Sequence, residues 1–127
     1  MAQASSEADW RTAAGRAYYT LMLEAREALR RWGFSIPKGD QIHRFVRLRL
    51  LYAADSDLRD VSLTLEESGK LRAEADYQIE NPGRFATPDD VRQAIIDSNN
   101  ALVLLDRVNG DNVRLAAAIS AIQKAFP

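Results

Sequence analysis

The chain has 127 residues, 46% of them hydrophobic and 28% charged, with a net charge of −1, one histidine and no cysteine. This length fits a single domain over residues 1–127, and the apolar content suffices for a core, which excludes a disordered chain. The lack of cysteine removes disulfides, thiolate metal sites and cysteine nucleophiles, and a lone histidine removes most zinc sets. No apolar run reaches the roughly 18 residues of a membrane span. The polar, acidic opening Met1–Asp9 does not read as a secretory leader. The expectation is a soluble cytoplasmic domain with no membrane contact, metal or cofactor. A near-neutral total argues against non-specific coating of nucleic acid. The charge is uneven, however: residues 34–56 carry +2 through Lys38, Arg44, Arg47 and Arg49, and residues 57–81 carry −4. The plainer reading of the basic cluster is a solvated helix face.

Apolar residues at Trp10, Ala13, Ala14, Ala17, Tyr18, Leu21, Ala25, Ala28, Leu29 and Trp32 follow the 3.6-residue period and predict a first helix over about 7–33. Arg11 and Arg16 fall off that face. Ser5 or Ser6 caps the start and Gly33 stops the helix. A loop over 34–40 leads to a second helix at about 40–54, opened by Asp40, with Ile42, Phe45, Val46, Leu50 and Ala53 as its stripe and Arg49 inside that stripe.

The third helix, about 57–81, steps through Leu58, Val61, Leu65, Ser68, Arg72, Ala75 and Ile79 in alternating threes and fours. The second half of that stripe is a notch of Ser68, Gly69, Arg72 and Asp76, with Arg72 at a core-facing position. Asn81-Pro82-Gly83 ends it. Thr87-Pro88-Asp89-Asp90 reads as a capping hydroxyl, a first-turn proline and first-turn acids for a fourth helix. A break at Gly110 with Asp111 as a new cap gives a short fifth helix, and a single kinked helix is the alternative, since the stripe phase nearly carries across Gly110. No segment shows the two-residue period of strands. The expected fold is all-α, an up-and-down four-helix bundle with a short fifth C-terminal helix.

An inward guanidinium must find partners. Asp76, four residues on, is within reach of Arg72. Such a pair fixes helix register or lines a functional groove. Arg72, Asp76, Tyr77 and His43 are the candidates for chemistry, and Arg16, Arg47 and Arg72 for ligand binding. His43 alone titrates near neutrality, and its plainer role is a locally bonded edge histidine. Tyr18 and Tyr19 read first as packing residues. Phosphate loops, dinucleotide fingerprints and paired Glu-x-x-His motifs are absent.

The order Arg16-Ala17-Tyr18-Tyr19, His43-Arg44-Phe45-Val46, then Leu71-Arg72-Ala73-Glu74-Ala75-Asp76-Tyr77 resembles the HEPN family. The resemblance runs over about residues 8–108 and takes in Asp89-Asp90-Val91 with Ala94 and Ala101. It implies a dimeric helical bundle. It also implies a toxin-like role beside a nucleotidyltransferase-type antitoxin and contact with RNA or a nucleotide. Active members of that family are metal-independent ribonucleases using an Arg and a His four to six residues apart. Here that spacing from Arg72 reaches Tyr77, Gln78 and Ile79, and back from His43 it reaches Lys38, Pro37 and Ile36. The expectation is therefore a domain that acts by binding. A ribonuclease with a variant site, using Arg72 with His43 or Tyr77, is the alternative, and a non-catalytic interaction scaffold is the third reading.

Overall fold

The computed structural model describes residues 6–80 and 83–127. They form α1 (Glu7–Arg31), α2 (Gln41–Leu51), α3 (Ser56–Tyr77), a 3-10 turn (Gly83–Phe85), α4 (Asp89–Asn109) and α5 (Asn112–Ala125), with no strand among them. This is the predicted all-α bundle with a short fifth helix. No helix among the described residues is long and apolar enough to cross a membrane.

The helix ends follow local chemistry. At α1 the Ser6 hydroxyl accepts from the Asp9 amide while the Asp9 carboxylate accepts from the Ser6 amide, a reciprocal cap. Of the two serines proposed for it, Ser5 lies outside the described residues. Gly33, at φ +100°, takes the left-handed position that closes the helix. Asp55 caps α3 through the Asp57 and Leu58 amides, and Asp111 caps α5 through Val113 and Arg114. That second cap produces the break at Gly110. Two expected caps are not formed. Asp40 precedes α2 in helical conformation without a side-chain cap, and Pro88 takes the cap position of α4 with no bond from Thr87. α3 ends at Tyr77, ahead of Asn81-Pro82, which lies outside the described residues, and Ile79 falls beyond the helix, exposed.

α1, α3 and α4 pack against one another, α2 packs mainly on α3, and α5 on α4. The main core joins Leu21, Ala25 and Leu29 of α1 to Val46 and Leu50, Leu58 to Leu65, Ala101 to Val108, and Ile122. Burying each of the Val, Leu and Ile side chains among these contributes about 2 kcal/mol. A smaller cluster of Ala14, Leu71, Ala75, Phe85, Val91 and Ala94 fills the other end. There the sequence places Arg11 off the core face. The structure instead turns it inward, where it donates to the carbonyls of Glu74, Ala75 and Gln78 at 2.9–3.0 Å and stacks over Phe85. It thus serves carbonyls at the end of α3, of which that of Glu74 also accepts from the Gln78 amide. The start of α1 therefore meets the end of α3, and the two run antiparallel. The segment between α1 and α2 runs back along α1, with Ile36 and Pro37 beside Arg26. This return delivers the start of α2 to the middle of α1.

At the opposite end, the Arg114 guanidinium donates to both carboxylate oxygens of Asp55 and to Asp57 at 2.8–3.0 Å, tying α5 to the start of α3. Burial opposes ionisation of Asp55, but Arg114 and the two capping amides outweigh it and hold its pKa below the ordinary 3.8. The stabilisation is therefore complete above about pH 4 and is lost as the pH falls through the folded-state value. Asp55→Ala is expected to cost about 2 kcal/mol, the sum of a lost cap and lost charge-assisted bonds. Asp55→Ser, which keeps the cap, is expected to cost about half of that. Urea denaturation at pH 7 and pH 3 checks both the size and the sign.

Candidate functional site

The return of the chain after α1 and the antiparallel α1–α3 pair bring three helices together around one ring, that of Tyr18. Its hydroxyl lies 2.5 Å from Nδ1 of His43 on α2. Its ring lies under the Arg72 guanidinium of α3, 5.3 Å from the centroid, and Tyr19 is 5.7 Å from the same cation. Gly69 makes the approach possible: a Cβ there would stand 3.2 Å from Cε1 of Tyr18. Around this contact opens a cleft of about 420 Å³ whose lining includes His43, Arg44, Arg47, Lys70 and Arg72, with Asp40 and Glu66 as its acids. Arg47 faces Glu66 at 3.7 Å, Lys70 faces Glu66 and Glu67, and Arg44 has no ion pair among the described residues.

Arg72 is turned inward, its side chain 19% exposed, and bonds Asp76 at 3.3 Å. Its Nε is buried and has no hydrogen-bond partner. Burial disfavours its charge, yet Asp76 and the two phenols more than offset this, so it stays cationic. For Tyr18, burial raises the phenol's pKa against the opposing pull of Arg72, so the hydroxyl keeps its proton. For His43, burial and then Arg72 lower the pKa below the ordinary 6.5, with Asp40 opposing. The Tyr18 hydroxyl and Nδ1 of His43 thus share one hydrogen bond between two neutral groups, its direction following the imidazole tautomer. The site is therefore a cationic, donor-rich hollow floored by aromatic rings, suited to an anion such as a phosphate.

The structure thus brings His43, Arg47 and Arg72 together. Asp76 stands at the rim, holding Arg72. Tyr77 does not line the cleft and is 78% exposed at the end of α3. Arg16 does not reach the cleft either, because it sits on the α4 side of α1. Ser68 leaves the expected notch: its hydroxyl bonds back to Thr64 and it lies towards α4. Tyr18 is buried in the main core, as the packing reading has it, and its hydroxyl in addition bonds His43. The signal for it was Gly69 on α3, a gap facing a large ring. Arg49, inside the apolar stripe of α2, belongs to another feature: it is stacked between Phe45 and Phe126, 3.9 Å from each ring centre. No group of three or more His, Cys, Asp or Glu among the described residues is placed to hold a metal ion. No protein-family model, curated protein or solved structure matches the chain.

Two measurements probe this geometry. Gly15 has open space where a Cβ would stand, so Gly15→Ala is expected to gain up to about 1 kcal/mol from helix propensity. Gly69→Ala is expected to forfeit that gain against Tyr18, visible as a smaller stability change and a shifted Tyr18 ring signal by NMR. Because folding lowers the pKa of His43, the unfolded chain takes up the proton first, and stability falls as pH drops below about 6.5. Arg72→Ala is expected to raise the His43 pKa towards 6.5, read by NMR titration of the imidazole.

Proposed function

We propose that this chain is a HEPN-like helical domain that acts by binding a phosphate-bearing ligand, RNA or a nucleotide, in the α1–α2–α3 cleft. In this reading it is the toxin-like component of a pair whose other member is a nucleotidyltransferase-type protein, and it works as a dimer. The observation that carries the binding reading is Arg72: a cation stacked on Tyr18, with a buried Nε lacking a partner, beside His43 and Arg47. The side chain is 19% exposed on the cleft, where a ligand oxygen can meet the exposed part of the guanidinium. The family part of the reading rests on the motif order in the sequence.

A ribonuclease with a variant site draws on the same juxtaposition of Arg72 and His43. Against it, no Arg stands ahead of His43 at the family's spacing of four to six residues, and Nδ1 of His43 is already engaged by the Tyr18 hydroxyl. Binding is the better supported of the two.

The test uses fluorescence anisotropy with a short labelled RNA and with a labelled nucleotide. Arg72→Ala is expected to weaken binding about tenfold or more, the loss of one charge-assisted contact. Arg72→Lys is expected to recover only part, because an ammonium lacks the planar fork. Tyr77→Phe is expected to change nothing. Unaltered binding by Arg72→Ala overturns the site. RNA cleavage in the presence of a chelator that disappears in His43→Ala favours the ribonuclease reading instead. Co-purification with the product of an adjacent nucleotidyltransferase-like gene tests the pairing.

A further inference from the structure

A separate hollow of about 420 Å³ opens where α2 meets the segment that leads into it. Its lining is Pro37, Gln41, Arg44, Phe45, Leu48 and Arg49, which is two guanidinium groups, one amide, three apolar side chains and no acid. Neither arginine makes an ion pair or a side-chain hydrogen bond among the described residues. Both faces of Arg49 are taken by the Phe45 and Phe126 rings, each centred 3.9 Å from the guanidinium carbon. Its N–H donors lie in the guanidinium plane, between those rings, and none of them is spent within the described chain. Burial disfavours the charge of Arg49, and no carboxylate offsets it. At Arg114, by contrast, the carboxylates of Asp55 and Asp57 outweigh the same effect.

We propose that this hollow docks an acidic segment of a partner protein, whose side-chain carboxylates pair with Arg44 and Arg49. The carboxylate follows from the geometry. With its faces covered, Arg49 has only its edge to offer, and that edge is a fork that meets a planar two-oxygen anion in its own plane. The stack holds the fork in place, so little side-chain freedom is lost when a ligand arrives. From Arg44 to Arg49 the helix rises about 7.5 Å. Alternate residues of an extended chain stand about 7 Å apart on one face, so a Glu-x-Glu segment reaches both cations at once. Pro37 and Leu48 offer apolar surface to the methylene stems of those glutamates, and the Gln41 amide can both donate to and accept from the segment's backbone. A nucleic-acid strand fits less well, because it gains from free aromatic faces on which bases stack, and here the faces beside the cation are already used. The hollow shares only Arg44 with the anion cleft and does not rest on the binding reading given above.

Fluorescence anisotropy of the full chain with a labelled peptide, Gly-Ser-Glu-Leu-Glu-Ser-Gly blocked at both ends, tests this at about 50 mM salt and up to about 500 µM protein. The acidic peptide is expected to bind about tenfold or more tightly than its Gln-Leu-Gln counterpart and to lose affinity as salt rises. Arg49→Ala is expected to weaken it about tenfold or more, and Arg49→Lys to recover only part, since an ammonium lacks the fork. Arg49→Ala also unties Phe126, so circular dichroism checks its fold. Gln41→Glu is free of that concern. It lies exposed at the first position of α2, where an acid suits the helix dipole, and it sets a carboxylate inside the hollow. It is expected to weaken the acidic peptide about tenfold or more and to leave the neutral one unchanged. Equal affinity for the two peptides, no binding across the range, or acidic-peptide binding that Gln41→Glu does not alter overturns the proposal. So does a labelled single-stranded RNA that loses affinity on Arg49→Ala while the acidic peptide fails to bind, since the surface then belongs to nucleic acid. Arg72→Ala is expected to leave peptide binding unaltered, so this site and the cleft fail separately.

Discussion

The stacking of the Arg72 guanidinium on Tyr18 is the contact around which this bundle is organised. A cation at an inward position of a helix must be compensated, and here Asp76 of the same helix and the rings of Tyr18 and Tyr19 on α1 do so together. Gly69 removes the atom that would hold α3 away, the ring fills the space, and its hydroxyl reaches on to His43. One side chain of α1 thereby links α3 to α2. The order in which the helices approach follows from this: α3 antiparallel to α1, and α2 entering beside the middle of α1 after the chain has doubled back.

Two charged clusters in the molecule differ in how completely their charges are met. At the α3–α5 end, Arg114 meets two carboxylates, and Asp55 is also satisfied by backbone amides. That network is closed, and its role is to hold α5 on the bundle. At the cleft, Arg72 has one carboxylate on the solvent side and an unmet donor within. A buried pair seldom stabilises a fold beyond what apolar residues would do there. The cleft network is the less completely met of the two, and Arg44 beside it makes no ion pair among the described residues.

Much of the fold was legible because helical period and end-capping are local properties. The stripe from Ala14 to Leu29 set α1, and Asn109-Gly110-Asp111 marked the break before α5, since a cap needs only its own helix. The misjudged residues are those whose partners lie far along the chain. Arg11 looked solvated because its acceptors, the carbonyls of Glu74 to Gln78, are brought to it only by tertiary packing. Arg72 and His43 were recognisable as unusual, but their meeting through Tyr18 depends on the return of the Trp32–Asp40 segment. Arg16 and Tyr77 drop out of the cleft for a geometric reason. Two residues' distance from Tyr18 turns Arg16 towards α4, and Tyr77 falls at the last residue of α3.

Arg49 has a consequence of its own. Its guanidinium lies between the rings of Phe45, on the same helix, and Phe126, just past α5, with Tyr52 edge-on to Phe126. By helical spacing, Arg49 occupies the opposite side of α2 from His43 and Arg47. The chain's final aromatic thus props α2 from behind, like a buttress against a wall. Since α2 carries His43, Arg44 and Arg47 of the cleft, this stack on its far side braces the helix that presents those three side chains.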